Sequence, residues 1–81
     1  MRLEILTPET KVFDGEVSSV TFPGVDGLFQ VLNGHAPLMS LLRGGTVEYR
    51  AGGALSQVKI TGGVVEVIKN NVTLLADGIQ R

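Results

Sequence analysis

Apolar and polar residues alternate with a period of two along much of the chain, which is the pattern of half-buried β-strands. Near the start, Leu3 and Ile5 alternate with polar neighbours, and in residues 46–50 Val47 and Tyr49 share one face. No segment of ten residues shows the helical apolar spacing of about 3.6, and β-branched residues are frequent. The pattern therefore predicts an all-β fold without helices.

Turn-forming residues divide these apolar stretches into eight to ten short strands, which indicates a sandwich or a small barrel. Each predicted turn contains glycine, asparagine or proline, the residues that best accept turn geometry. The predicted turns are Asp14-Gly15, residues 23–27, 33–37, 43–45 and 51–54, Gly62-Gly63, and residues 69–71.

Size and composition restrict the possible functions. The 81 residues suffice for one domain, which we expect to span residues 1–81. The net charge is −1 and the basic residues are scattered, so we expect neither nucleic-acid binding nor attachment to anionic lipid. There is no cysteine, no signal-peptide pattern, and no apolar run of about 18 residues that could insert into a bilayer.

Residues 22–42 hold the only histidine and the best candidates for chemistry. His35, Ser40 and Asp26 are the residue types of a nucleophilic triad. However, Ser40 lies in an apolar strand without a Gly-x-Ser-x-Gly turn, which favours a structural or contact role. A single histidine does not supply a metal site, and the glycines at 24 and 27 precede no helix that could bind phosphate. We therefore expect no catalytic residue, metal or cofactor.

Two further binding functions are open to a small all-β domain. The four aromatic residues lie among aliphatic ones and most of them are expected in the core, which argues against a platform for stacking bases. Lys69 at a hairpin tip has the general position of the modified lysine in a biotinyl or lipoyl carrier. Its neighbours, Ile68 and Asn70, do not match the signatures of those carriers. The carrier function is the alternative to the assignment that follows.

Several ordered motifs resemble the epsilon-subunit family of bacterial F-type ATP synthases, equivalent to the mitochondrial delta subunit. The resemblance covers essentially the whole chain. It is carried by Pro23-Gly24, by Gly27-x-Phe29, by the run from Val31 to Leu38 that contains His35-Ala36-Pro37, by the run from Gly62 to Val67, and by the run from Asn71 to Asp77.

The resemblance implies a ten-strand antiparallel sandwich of two sheets that catalyses nothing itself. Such a subunit turns with the central stalk and couples the gamma subunit to the polar loops of the membrane c-ring during proton-driven ATP synthesis. It would be a peripheral protein on the cytoplasmic face of the bacterial inner membrane. By position, the gamma contacts would be Thr7, His35 and Ser40, and the c-ring contacts would be Asp26, Gly27 and Leu28.

The sequence departs from the family pattern at the predicted ring contact and at its end. Leu28 stands where an acidic residue is common, Gln30 where glycine is common, and Asn33 where proline is common. The ring contact is therefore expected to be less electrostatic, with Asp26 as a substitute. The C-terminal helical hairpin of the family does not follow Asp77, so for a chain ending here we expect neither ATP binding nor self-inhibition.

Overall fold

The computed structural model describes residues 1–80 of the protein; Arg81, the last residue of the predicted domain, lies outside the described residues. These residues form seven β-strands and no helix, which confirms the predicted all-β class. Consequently, no helix of residues 1–80 is long and apolar enough to cross a bilayer. The strands are β1 (Arg2–Leu6), β2 (Lys11–Glu16), β3 (Ser19–Gly24), β4 (Gly27–Leu32), β5 (Leu38–Ala51), β6 (Ala54–Ile68) and β7 (Asn71–Ala76).

The seven strands form one continuous hydrogen-bonded sheet in the order β2-β1-β7-β6-β5-β3-β4. All neighbouring pairs are antiparallel except β1 and β7, which run parallel with Leu3 opposite Val72. The expected count of ten strands, the division into two separate sheets and the purely antiparallel arrangement are therefore wrong in detail, although the all-β class is confirmed. Adjacent short strands of the prediction are joined in β5 and β6, which have 14 and 15 residues.

The two long strands turn different faces toward the core in their two halves. In β5, Leu42 is buried in the first half and Val47 and Tyr49 in the second, so the inward positions change from even to odd numbers. In β6 the change runs from Ile60 to Val65. Pairing of β5 with β6 continues through this change without a register shift. Residues 63–68 of β6 pair with β7, whereas residues 48–50 of β5 pair with β3. The β5–β6 ribbon therefore runs from one layer of the sandwich, which contains β2, β1 and β7, into the other, which contains β3 and β4.

This crossing explains why two predicted turns are wrong. Gly44 and Gly45 lie inside β5, and Gly62 and Gly63 lie inside β6 with φ angles of +148° and +157°. A Cβ on Gly63 would collide with the backbone carbonyl of Leu75. These glycines therefore allow the ribbon to approach β7 and β3 closely where it passes from one layer to the other, and they do not reverse the chain.

The predicted turn at Asp14-Gly15 is also wrong, because both residues lie within β2, paired with Glu4 and Leu3 of β1. The Asp14 carboxylate accepts hydrogen bonds from Arg2 at 2.8 Å and from Lys11 at 3.1 Å. Contacts with other parts of the chain therefore determine the structure of this dipeptide more than its turn propensity does.

The other predicted turns are confirmed as chain reversals or bends. Lys69 and Asn70 have φ angles of +48° and +66° in the β6–β7 hairpin, and Gly52 and Gly53 close the β5–β6 hairpin. Val25 and Asp26 form the two-residue turn between β3 and β4. These reversals place the β3–β4 turn, the first residues of β4 and the bend after Leu32 on the molecular surface, where a partner could reach them.

One hydrophobic cluster fills the space between the layers. Phe22 is fully buried, and its ring centroid lies 5.5 Å from that of Phe29. Phe13 packs on Tyr49 at 4.5 Å. Phe22 and Tyr49 belong to the core, and Phe13 and Phe29 pack against it, so the prediction that most of the aromatic residues are in the core agrees with the structure. The largest fully buried side chains are Phe22, Leu3, Ile5, Ile60, Leu74, Val20, Val31, Val47, Val65, Val67 and Val72.

Candidate protein-docking surface

Residues 25–42, here called the neutral segment, combine very low charge with exposed apolar side chains. Asp26 is the only charged residue in the segment. Of the nine large hydrophobic residues that are exposed within residues 1–80, five lie in it, with exposures between 52% and 70%. They are Val25, Leu28, Leu32, Met39 and Leu41. Exposed apolar residues concentrated in this way are typical of surfaces that bind another protein.

An apolar groove of about 700 Å³ adjoins the neutral segment. Its floor is a row of outward-facing residues on four adjacent strands, in which Leu41 pairs with Val64, Val64 with Leu75, and Leu75 with Leu6. The β3–β4 turn reaches its edge, where the Val25 amide donates a hydrogen bond to the carbonyl of Leu41 at 3.2 Å. The apolar groove is therefore continuous with the neutral segment.

Thr7, a predicted gamma contact, lines the apolar groove just after β1. Its conformation is fixed by Thr10, whose amide donates to Thr7 Oγ1 at 3.1 Å and whose carbonyl accepts from the Thr7 amide at 2.8 Å. Thr7 and the apolar row thus present a preformed surface that would lose little conformational entropy on binding.

His35, the second predicted gamma contact, is exposed on the bend between β4 and β5. Its amide donates to the carbonyl of Leu32 at 3.1 Å, and its Nδ1 lies 2.7 Å from the Ala36 carbonyl. The preceding glycine, Gly34, has a φ of +79° and donates its amide to Asn70 Oδ1 at 2.9 Å. The bend is therefore anchored to the β6–β7 turn.

Ser40, the third predicted gamma contact, is half-buried in β5 and pairs with Val65. Its hydroxyl donates to the neighbouring carbonyl of Leu41 at 3.3 Å. Within residues 1–80, no hydrogen bond joins His35, Ser40 and Asp26, and His35 Nδ1 and Ser40 Oγ each contact a backbone carbonyl instead. The structure therefore does not assemble a triad from these residues.

The predicted ring contacts form the exposed tip of the β3–β4 hairpin. Gly27 has a φ of +128°, and Leu28 is 70% exposed, the highest value among the large hydrophobic residues. Beside Leu28 lies a shallow depression of about 320 Å³ that also includes Arg43 and Glu48. The tip therefore has an apolar centre with charged groups at its side.

The predicted gamma contacts do not form one cluster. The His35 bend is bonded to Asn70, whose carbonyl accepts the Arg2 amide at the beginning of β1, whereas Thr7 follows the opposite end of that strand. The length of β1 separates the two positions by about 15 Å. A partner that touches both must cover one whole side of the molecule.

Arg2, Glu4, Lys11 and Asp14 form a cluster of ion pairs on β1 and β2. Lys11 Nζ lies 3.1 Å from both Glu4 and Asp14, and Arg2 lies 2.8 Å from Asp14. Hydrogen bonds from Arg2 and then Lys11 lower the pKa of the Asp14 carboxyl. The same bonds raise the pKa of Lys11 and of Arg2. This surface is internally neutralised and hydrated.

Two other candidate sites are described by the structure. No group of three or more acidic or histidine side chains in residues 1–80 is placed to hold a metal ion. Lys69, the residue of the carrier alternative, occupies the first position of the exposed β6–β7 turn.

Sequence reasoning identified Thr7 but missed the apolar residues that form the floor of the apolar groove, although a signal was present. The apolar groove is built from doubled apolar positions, Ile5-Leu6, Leu41-Leu42, Val64-Val65 and Leu74-Leu75. Because successive strand residues point to opposite faces, one member of each pair must face outward. In every pair the other member is buried, with an exposure of 5% or less.

The whole chain matches the model of one protein family. The model of the family described as "ATP synthase, Delta/Epsilon chain, beta-sandwich domain" matches residues 1–81. Among curated relatives, proteins named ATP synthase epsilon chain are similar to this chain. That of Wolinella succinogenes is 44% identical over 79 residues, covering 96% of this chain and 60% of its own. That of Rhodopseudomonas palustris BisB5 is 42% identical over 74 residues, covering 91% and 55%. The chain thus spans little more than half the length of these relatives.

Solved structures agree on the fold. A chain in the structure of Euglena gracilis mitochondrial ATP synthase, comprising OSCP, F1 and c-ring, superposes with a TM-score of 0.88 at 25% identity. The match covers 96% of this chain and 51% of that one. A chain in the central stalk and c-ring structure of the Tetrahymena thermophila mitochondrial ATP synthase gives 0.82 at 20% identity, covering 98% and 64%.

Proposed function

Because its whole length matches the family model, the chain belongs to the ATP synthase delta/epsilon beta-sandwich family, and we propose that it is a non-catalytic rotor subunit of the central stalk. In this role it links the gamma subunit to the c-ring, so that ion flow through the membrane sector turns the stalk as one body. The complex, not this subunit, carries out ATP synthesis. The subunit is peripheral, at the cytoplasmic face of a bacterial inner membrane.

The observation that carries this proposal is the neutral segment together with the apolar groove. Both are exposed in the isolated chain. When a partner covers exposed leucine and valine surface, the burial stabilises the complex by about 25 cal/mol per Å². The absence of charge along residues 27–42 means that covering them requires little desolvation of charged groups. A subunit that remains bound through many rotations needs such an interface.

The proposal divides this surface between two partners. The apolar groove with Thr7, the His35 bend and Ser40 are assigned to gamma, which would then cover one side of the molecule. The hairpin tip formed by Asp26, Gly27 and Leu28 is assigned to the polar loops of the c-ring. Because Asp26 lies in the two-residue turn and Leu28 is the second residue of β4, a load on the tip is transmitted directly into the β3–β4 hairpin.

Co-purification tests the proposal. A tag on gamma in membranes from the native organism should retain the wild-type chain and the c-ring. Leu41→Glu should be lost from the complex, because it places a carboxylate in the apolar groove, where covering it costs several kcal/mol. Leu55→Glu is the matched control. Leu55 is a similarly exposed leucine, in the part of β6 that pairs with Arg50, outside the apolar groove.

The ring contact is tested in the same membranes. Leu28→Lys should leave the chain on gamma but weaken retention of the c-ring and the coupling of ATP hydrolysis to ion pumping. Equal retention of Leu41→Glu and Leu55→Glu would contradict the gamma assignment. Coupling in Leu28→Lys at the wild-type level would contradict the ring assignment.

A further inference from the structure

Within residues 1–80, strand β4 is the end strand of the sheet and pairs only with β3. Because a two-residue turn joins the strands, the residues flanking it, Gly24 and Gly27, form a hydrogen-bonded pair, and such pairs recur at every second position. Phe29 and Val31 therefore exchange hydrogen bonds with β3. Leu28, Gln30 and Leu32 turn their amides and carbonyls away from β3, toward the open edge.

The position of Pro23 agrees with this assignment. Pro23 faces Leu28 in a pair that exchanges no hydrogen bonds, so its missing N–H removes no bond between β3 and β4. On its other side, the pairing of β3 with β5 shifts register between Thr21 and Gly24, where the proline cannot donate. The alternation along β4 is therefore consistent on both sides of β3.

The open edge of β4 lacks the usual protection against strand pairing. Within the described residues, the amides of Leu28, Gln30 and Leu32 and the carbonyls of Leu28 and Gln30 have no backbone partner, while the Leu32 carbonyl accepts from His35. The strand, Gly-Leu-Phe-Gln-Val-Leu, contains no charged residue and no proline. Soluble proteins normally protect such an edge with charges, proline or a bulge.

The opposite end of the same sheet shows that protection. Strand β2 carries Lys11, Asp14 and Glu16, and its pairing with β1 is interrupted by a register shift after Ile5. Lys11 and Asp14 are held in ion pairs on that strand. One edge is therefore made unsuitable for another strand, whereas the other remains neutral, regular and apolar.

From this contrast we infer that β4 accepts an extended, uncharged segment of the gamma subunit as an additional β-strand. The inference rests on the proposed stalk function and deepens it. Gamma is the occupant because β4 ends directly at the His35 bend, so a strand beside β4 continues the surface assigned to gamma. An uncharged occupant fits because β4 has no charged side chain that could pair with a charge on the opposing strand.

The geometry also accommodates the ring contact at the tip. The Leu28 side chain is exposed on the outer face of the layer, while its backbone groups point along the sheet toward the open edge. Phe29 and Val31 alternate with it and pack into the core. An added strand would thus use the backbone of residues 28–32 and leave the Leu28 side chain available to the c-ring.

Hydrogen exchange of individual amides tests the inference. The chain, alone or bound to purified gamma, is exchanged in D₂O, quenched and dissociated, and its amides are read by NMR. Binding should slow exchange at Leu28, Gln30 and Leu32 by about tenfold or more, because each amide gains a hydrogen bond. Phe29 and Val31, already bonded to β3, should change little.

A substitution provides an independent arm. Gln30→Pro removes one outward-facing amide without breaking a β3–β4 hydrogen bond, and proline is tolerated on edge strands. It should weaken gamma binding about tenfold, the effect of roughly one hydrogen bond. Gln30→Thr, which keeps the amide, should bind like the wild type. Unchanged thermal unfolding of Gln30→Pro in isolation would show that its fold is intact.

The possible failures are distinguishable. If gamma does not bind the chain at all, both the inference and the proposed function fail. If gamma binds but the three amides remain unprotected, or Gln30→Pro binds like Gln30→Thr, only the added strand is overturned. Protection that appears without gamma as the chain concentration rises would identify a second copy as the occupant and would also overturn the inference.

Discussion

Asn33 and Asn70 join the His35 bend to the β6–β7 turn. Asn70 Nδ2 donates to Asn33 Oδ1 at 3.1 Å, and the same oxygen accepts from the Met1 amino group at 2.8 Å. In return, Asn70 Oδ1 accepts the amide of Gly34. Side-chain hydrogen bonds between the two turns therefore fix the His35 bend.

Replacement of Asn33 tests this relationship. Asn33→Ala should lower the free energy of unfolding by about 1–2 kcal/mol, because one of the two lost hydrogen bonds involves a charged donor. In a domain of this size that corresponds to a decrease in Tm of about 5–10 °C, measured by circular dichroism. Asn71→Ala is the control, since its side chain makes only a local bond of 3.4 Å to the Lys69 carbonyl. Equal Tm values for the two variants would contradict the prediction.

The crossing of the long ribbon depends on Gly63. Gly63→Ala should destabilise the protein by about 2–4 kcal/mol, because the methyl group would collide with the Leu75 carbonyl at a φ that side chains avoid. Denaturant unfolding measures the change. Gly53→Asn is the control: its φ is +83° but nothing lies within 4 Å, and asparagine tolerates this conformation, so its cost should stay below about 1 kcal/mol. A Gly63→Ala protein as stable as this control would refute the role of the crossing.

The charged cluster on β1 and β2 predicts a pH dependence. Because Arg2 and Lys11 lower the Asp14 pKa below its ordinary value of 3.8, the cluster stabilises the fold above that pH. The stabilisation is lost as the pH falls through the lowered value. Asp14→Asn should therefore have a slightly lower Tm than the wild type at pH 7, and the difference should shrink below pH 3.8.

Thermal unfolding between pH 7 and pH 2 measures that difference. Asp26→Asn serves as the comparison, since no ion pair within residues 1–80 involves Asp26. Its difference from the wild type should be small at every pH. If the Asp14→Asn difference were the same at both ends of the range, the carboxylate would not be the source of the effect.

Much of the fold was predictable because its information is local. The alternation of Val47 and Tyr49 indicated a strand, and Asn70 indicated a hairpin turn by its tolerance of positive φ. The glycine pairs at 44–45 and 62–63 predict turns, whereas both lie inside strands. Glycine favours turns, close approach of backbones and unusual φ angles alike, so the residue type does not indicate which of these a position requires. Only the neighbouring strand, which presents Leu75 to Gly63, distinguishes a crossing from a turn.

The candidate surface was less predictable. Exposure at the hairpin tip and the His35 bend could be anticipated from turn residues, but a doubled apolar pair such as Leu41-Leu42 does not indicate which member faces the core. Leu42 is buried and Leu41 is exposed because the inward face of β5 changes at the ribbon crossing. The apolar groove therefore exists only once four strands are aligned.

The sequence by itself determined the all-β class, the sharp hairpin turns and the neutral character of residues 27–42, since each depends on residue type and near neighbours. The tertiary structure alone decided which leucines are exposed, which edge of the sheet is open, and that Thr7 and His35 lie at opposite ends of β1. The physical reason is that strand pairing joins residues far apart in the chain, so register and order follow from packing the whole core.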